Sequence, residues 1–172
     1  VCYHDADVTL VSVGGGFSYG QLGMSHFATE DLAIMRALPN IEVITPVDPW
    51  ETKHLTRQMA ARPGPKYLRL DKGRAGTVEE PVILGKIRQV RDGSDVTLIG
   101  IGAIVSEALA AAETLADLGI QARVLAVHSL KPFDADPVLA AARETGGIIT
   151  IEEHNILGGL GGTVAETCLE AG

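Results

Sequence analysis

Apolar and polar positions fall in blocks of two kinds along this chain. "DVTLVSVG" (7–14) is an apolar, β-branched run and predicts a buried strand. "TEDLAIMRAL" (29–38) predicts a helix with Leu32, Met35 and Leu38 on one face. Thr29 is placed to cap its first turn, Glu30 and Asp31 complement its dipole, and Pro39-Asn40 stop it. "IEVITP" (41–46) is the next predicted strand. "DPWETKHLTRQMAA" (48–61) is a second helix, with Asp48 as N-cap, Pro49 in the first helical position and Glu51 in the third. "KYLRL" (66–70) is a third strand. Alternating strand and helix predicts a parallel sheet covered by helices.

Between about Asp71 and Asp95 the pattern turns charged and turn-rich, with short β-like pieces, and reads as a linker. Alternation then resumes. "VTLIGIG" is a strand, a helix runs to Gly119, and "QARVLAVHSL" is one strand. "DADPVLAAARETG" is a helix, "GIITIEEH" a strand, and "GGLGGTVAETCLEAG" a last helix. The predicted fold is α/β. It comprises two three-layer α/β/α units with mostly parallel sheets, at 1–73 and 96–172, joined by a linker at 74–95.

Composition narrows the function classes. The 172 residues are 46% hydrophobic and 21% charged, which suits a packed core. Net charge is −8 without a basic run, so nucleic acid is not an expected partner. Cys2 and Cys168 have no metal or redox spacing and read as two reduced thiols. No apolar run approaches the ~20 residues of a membrane helix and no signal peptide is evident, so a cytoplasmic location is expected. The chain starts without Met just ahead of a strand and ends directly after a helix, so both ends look cut.

Three segments hold candidate chemistry. The first is "GGGFSYGQLGMSH" (14–26), a flexible glycine loop that delivers His26, with Ser18, Tyr19 and Ser25 as neighbouring polar groups. It does not match a dinucleotide fingerprint, because 13 residues separate Gly16 from the helix start at 29. The second is "EEHNILGGLGG". Glu152, Glu153 and His154 are adjacent and alternate faces, so they cannot share one metal ion. The glycine-led helix start that follows would suit an anion. The third is "PKYLRLDKG", where Arg69 and Lys72 close a strand and could hold a phosphate. No nucleophile–base pair, carboxylate dyad or metal triad emerges.

Taken together, "SHFATEDLAIMRALPNIEVITPVDPWE", "GPKYLRLDKG", "LKPFD" and "TIEEHNILGGLGGTVAE" resemble, in order and spacing, the carboxyl half of the transketolase group of thiamine-diphosphate enzymes. That group includes transketolase, 1-deoxyxylulose-5-phosphate synthase and the β subunits of 2-oxoacid dehydrogenases. "GFSYGQLGMSHFATED" looks closest to split transketolases, which carry these two domains on a separate polypeptide. The resemblance implies the later part of a pyrimidine-binding domain at 1–73 and a truncated transketolase C-terminal domain at 96–172. It implies a transferase moving a two-carbon ketol unit between sugar phosphates with thiamine diphosphate. Mg²⁺ would be held by a partner, the N-terminal diphosphate-binding subunit or domain, in a homodimer or heterotetramer.

By the same resemblance, His26 matches the histidine facing the thiazolium and the substrate. Lys72 matches a sugar-phosphate cation that is usually Arg, with Arg69 and Ser25 as further substrate contacts. Tyr19 and Gly20 would lie against the cofactor. Two positions depart from the sugar-using pattern. Leu22 stands where an acid binds a donor hydroxyl, and Gly14 stands where a histidine is usual. The glutamate that activates the cofactor would lie before residue 1, so the chain is expected to be inactive alone. Two other readings are a dehydrogenase β subunit and a non-catalytic scaffold.

Overall fold

The computed structural model describes residues 1–72 and 79–172. Residue 73 and the predicted linker's 74–78 lie outside the described residues. There are two four-stranded, mostly parallel sheets. The first has the order β1 (Thr9–Val13), β3 (Lys66–Leu70), β2 (Glu42–Ile44), β7 (Ser129–Lys131). The second has the order β4 (Arg88–Arg91), β6 (Ala122–Val127), β5 (Val96–Ile101), β8 (Ile148–Ile151). Only β7 against β2 and β4 against β6 run antiparallel.

Four differences from the sequence reading have physical causes. β1 is not buried: it is an edge strand paired only with β3, and Val11 and Val13 are 58% and 59% exposed. The apolar run had signalled a strand but not which face is covered. Thr29 does not cap α1 (Asp31–Ala37). Its Oγ1 donates to Glu30 Oε1 instead, and Glu30 takes the N-cap place. The single strand predicted over 121–130 breaks at His128, and its second half crosses to the first sheet as β7. Within the predicted linker, Arg88–Arg91 forms β4 on the edge of the second sheet.

The helices sort by which sheet face they cover. α2 (Pro49–Ala60) buries Leu55 and Met59 on β2 and β3, and α3 (Val105–Asp117) lays its alanine face on β5 and β6. α1, α4 (Ala135–Glu144) and α5 (Leu160–Glu170) share one apolar cluster that includes Val43 and Tyr67 of the first sheet and Ile99 and Leu125 of the second. The two sheets thus share one core. At the α1 C-terminus the Lys131 ammonium donates to Arg36 O at 3.1 Å and to Leu38 O, which ties β7 to that helix end.

Candidate functional site

The glycine loop leaves β1 at the carboxyl end of the sheet, where open α/β sheets place ligands. It is less free than its composition suggests. Gly14 N–H donates to Leu70 O at 2.7 Å, and Gly16 and Ala28 exchange two backbone hydrogen bonds of 3.0 Å, closing the loop at its neck. Phe17 and Phe27 meet edge to face just beyond that neck, with centroids 5.0 Å apart. Ser18 Oγ donates to Gly15 O at 2.6 Å and accepts from the Lys72 backbone N–H at 3.3 Å. His26 ends a short 3₁₀ turn (Met24–His26) and is exposed, with Nδ1 3.0 Å from Ser25 Oγ. The Tyr19 ring lies 6.4 Å from the His26 ring, centroid to centroid, and 3.6 Å from Lys72 Nζ.

Loop residues 17–22 and Lys72 line a cleft of about 600 Å³. A second cleft of about 480 Å³ runs between the two sheets' loops, from Phe17, Ser18, Asp71 and Lys72 to Ala103, Ile104, Ser106, Glu107 and Glu153. Lys72 borders both. Arg69, the other predicted phosphate cation, is placed differently: it is 3% exposed. Its Nε donates to Asp71 Oδ1 at 3.1 Å, and its other nitrogens reach Asp31 Oδ1 and Glu153 O at 3.4 Å each. Gly15 leaves room for that guanidinium, since a Cβ would lie 1.8 Å from Arg69 Nε. Arg69 is a strut tying β3 to α1 and to the turn after β8.

That turn also differs from its sequence reading. The start of α5 does suit an anion, and the chain supplies it: Glu152 accepts from Leu160 N–H at 2.7 Å and Gly161 N–H at 2.8 Å. His154 Nδ1 donates to Asn155 O at 2.8 Å, so Nε2 accepts from Ala33 N–H, a first-turn donor of α1, at 3.3 Å. Asn155 donates twice to Thr29 O, from its backbone N–H and from Nδ2, each at 2.9 Å. His154 and Asn155 join the α5 turn to the start of α1.

Sequence reading missed a buried polar cluster at the back of the molecule. Glu51 and His128 are fully buried and Arg88 is nearly so. Arg88 donates to Glu51 Oε1 at 2.8 Å, and the other Glu51 oxygen accepts from Val47 N–H at 2.8 Å. His128 Nδ1 lies 3.5 Å from Glu51 Oε1, an ion-pair distance, and Nε2 donates to Ile83 O at 3.2 Å. Burial pushes the Glu51 carboxyl up, but the His128 imidazole, the Arg88 guanidinium and the Val47 N–H together hold it below its ordinary value. Tyr67 shows the opposite balance. Burial and its 2.8 Å hydrogen bond to Asp31 Oδ2 push its hydroxyl up to about 12. The Asp48–Glu51 spacing marked a helix start in the sequence, yet nothing local marked what Glu51 would meet 37 residues later.

Among the described residues, no group of three or more His, Cys, Asp or Glu side chains is placed to hold a metal ion, and no helix is long and apolar enough to cross a membrane. Residues 1–77 match the family described as "Transketolase, pyrimidine binding domain", and residues 85–172 match "Transketolase, C-terminal domain". One of the two subunits of an apulose-4-phosphate transketolase from Phocaeicola vulgatus is 38% identical over 174 residues, covering 99% of this chain and 56% of that protein. A 6-deoxy-6-sulfo-D-fructose transketolase subunit from Clostridium sp. strain MSTE9 is 40% identical over 172 residues, covering 98% and 53%. A solved structure described as "Split gene transketolase, inactive beta4 tetramer" superposes with a TM-score of 0.89 at 37% identity, covering 99% of this chain and 56% of that one. The chain spans about half the length of these relatives.

Proposed function

The chain belongs to the transketolase family, and from that premise we propose that it is the pyrimidine-side and C-terminal half of a split transketolase subunit. In this reading it moves a two-carbon ketol unit between sugars bearing a terminal anion. A separate diphosphate-binding subunit completes the site and holds Mg²⁺, and the assembly is a dimer or heterotetramer in the cytoplasm. The observation that carries the reading is the exposed His26 imidazole, oriented through Nδ1 by Ser25, on a loop that also presents Tyr19 and Lys72.

The residues fit one edge of thiamine diphosphate. Gly20 and Gly23 have open space where a Cβ would stand, so the backbone there can be approached closely. The diphosphate end has no counterpart, since no metal-binding cluster occurs among the described residues. Bound thiamine diphosphate supplies the carbanion chemistry that makes and breaks the carbon–carbon bond. His26 holds and moves a proton at Nε2 while Ser25 Oγ engages Nδ1. Lys72 offers a point charge to the sugar's terminal anion. Leu22 and Gly14, which bring no acid and no imidazole, leave the far end of the donor to be recognised by other groups.

The test is reconstitution. The full-length subunit is combined with its diphosphate-binding partner, thiamine diphosphate and Mg²⁺, and assayed for ketol transfer between phosphorylated or sulfonated sugars. Transfer by the pair, and none by either subunit alone, is expected. Turnover only with a 2-oxo acid and an artificial electron acceptor would reject the reading in favour of a dehydrogenase subunit.

A further inference from the structure

Gly14 is followed, five residues on, by the ring that needs its missing side chain. A Cβ at Gly14, where φ is +94°, would lie 2.0 Å from Tyr19 Cε2. The ring seated there carries the Lys72 ammonium 3.6 Å from its centroid, well inside the reach of a cation–π contact. Ser18 fixes the same lysine at its other end through the backbone N–H. A lysine side chain is otherwise a flexible four-carbon stem whose charge wanders. Among the described residues no carboxylate lies within ion-pair distance of this ammonium. Its charge stays available at the edge of the cleft formed by residues 17–22.

We propose that Tyr19 is a positioning residue, whose ring, seated on Gly14, holds the Lys72 ammonium where it meets the terminal tetrahedral oxyanion of the sugar. The inference rests on the ketol-transfer reading and adds to it the group that sets substrate class. A point charge without a guanidinium fork has no geometric reason to separate phosphate from sulfonate, so both anions should be accepted and a neutral terminus disfavoured.

The experiment uses the full-length subunit with its partner, thiamine diphosphate and Mg²⁺. The donors are D-fructose 6-phosphate, 6-deoxy-6-sulfo-D-fructose and D-fructose, which differ only at the terminal group. Tyr19→Leu should raise KM roughly 5-fold for the two anionic sugars, the size of one lost cation–π contact. It should leave kcat and the KM for D-fructose unchanged. Tyr19→Phe, which keeps the ring, should restore the wild-type KM. Gly14→Ala should reproduce the Tyr19→Leu pattern by displacing the ring. Tyr19→Met, of similar bulk, serves if the leucine variant does not assemble. A response confined to one of the two anionic sugars still supports the role and names the anion. Unchanged KM in Tyr19→Leu or Tyr19→Met, or an equal rise for D-fructose, overturns the inference while wild-type transfer leaves the functional reading standing. No transfer by the wild-type pair from any of the three overturns both.

Discussion

The carboxylate of Glu51, in the first turn of α2, accepts a 2.8 Å hydrogen bond from the guanidinium of Arg88, on the outer strand of the other sheet. Both groups are buried, so neither is served by water as a substitute partner. Removing one partner of such a pair strands the other. Glu51→Gln should therefore lower unfolding stability by about 3 kcal/mol, and Arg88→Met by a similar amount. The double variant should recover much of the loss, because the cost lies in the stranded charge. Urea denaturation of the four proteins measures this. Additive losses would show that the two groups do not act as a pair.

The same carboxylate fixes a pH dependence. Its folded-state pKa is held below the ordinary 4.5, so it adds stability that is fully present above that value and is lost as pH falls through the folded pKa. Wild-type stability should fall more steeply than that of Glu51→Gln below about pH 4.5. The gap between the two proteins should therefore narrow with acid. Denaturation midpoints from pH 6 down to pH 3 check it, and a gap that stays constant would contradict it.

What the sequence showed and what it hid divide along range. α2 was legible because Asp48, Pro49 and Glu51 are local signals, and the observed cap, with Glu51 N–H donating to Asp48 Oδ1 at 2.7 Å, uses them. β3 was legible at both ends because "KYLRL" is bounded by Pro65 and Asp71. β4 was not: Arg-Gln-Val-Arg is a short edge strand carrying two charges, and only its pairing with β6 reveals it. Arg69 read as a free cation because its acids, Asp31 and Asp71, are brought to it by the fold. The break at His128 was hidden because the apolar pattern runs on across it, while the chain changes sheets. In the site region, the loop and His26 were visible as composition. The seating of Tyr19 between Gly14 and Lys72 depends on contacts that no local pattern encodes.

Glu152 tests how the two units are held. Its carboxylate satisfies two otherwise orphaned N–H groups at the start of α5, where the helix dipole also favours a negative charge. Glu152→Ala should cost about 2 kcal/mol of stability, and Glu152→Gln about half of that, because the amide oxygen can still accept but carries no charge. High salt should weaken the advantage of Glu over Gln and leave the Ala penalty mostly intact. Thermal denaturation at low and high ionic strength separates the hydrogen-bond part from the charge part. Equal stability of all three proteins would mean that water caps α5 just as well.

His26 is exposed, and its one side-chain partner is Ser25, so its replacement should leave folding untouched and act on the chemistry alone. In the reconstituted assembly His26→Ala should lower kcat by about 10²-fold or more, the range of a group that transfers a proton in the transition state. Ser25→Ala should act through the imidazole: losing one neutral hydrogen bond at Nδ1 should cost roughly 5-fold in kcat. If the serine works only by orienting His26, its removal should have no further effect once His26 is alanine. The double variant should then match His26→Ala, whereas multiplied losses would give the two residues separate tasks. Unchanged kcat in His26→Ala, with KM for the anionic sugar also unchanged, would reduce His26 to a surface residue of the loop.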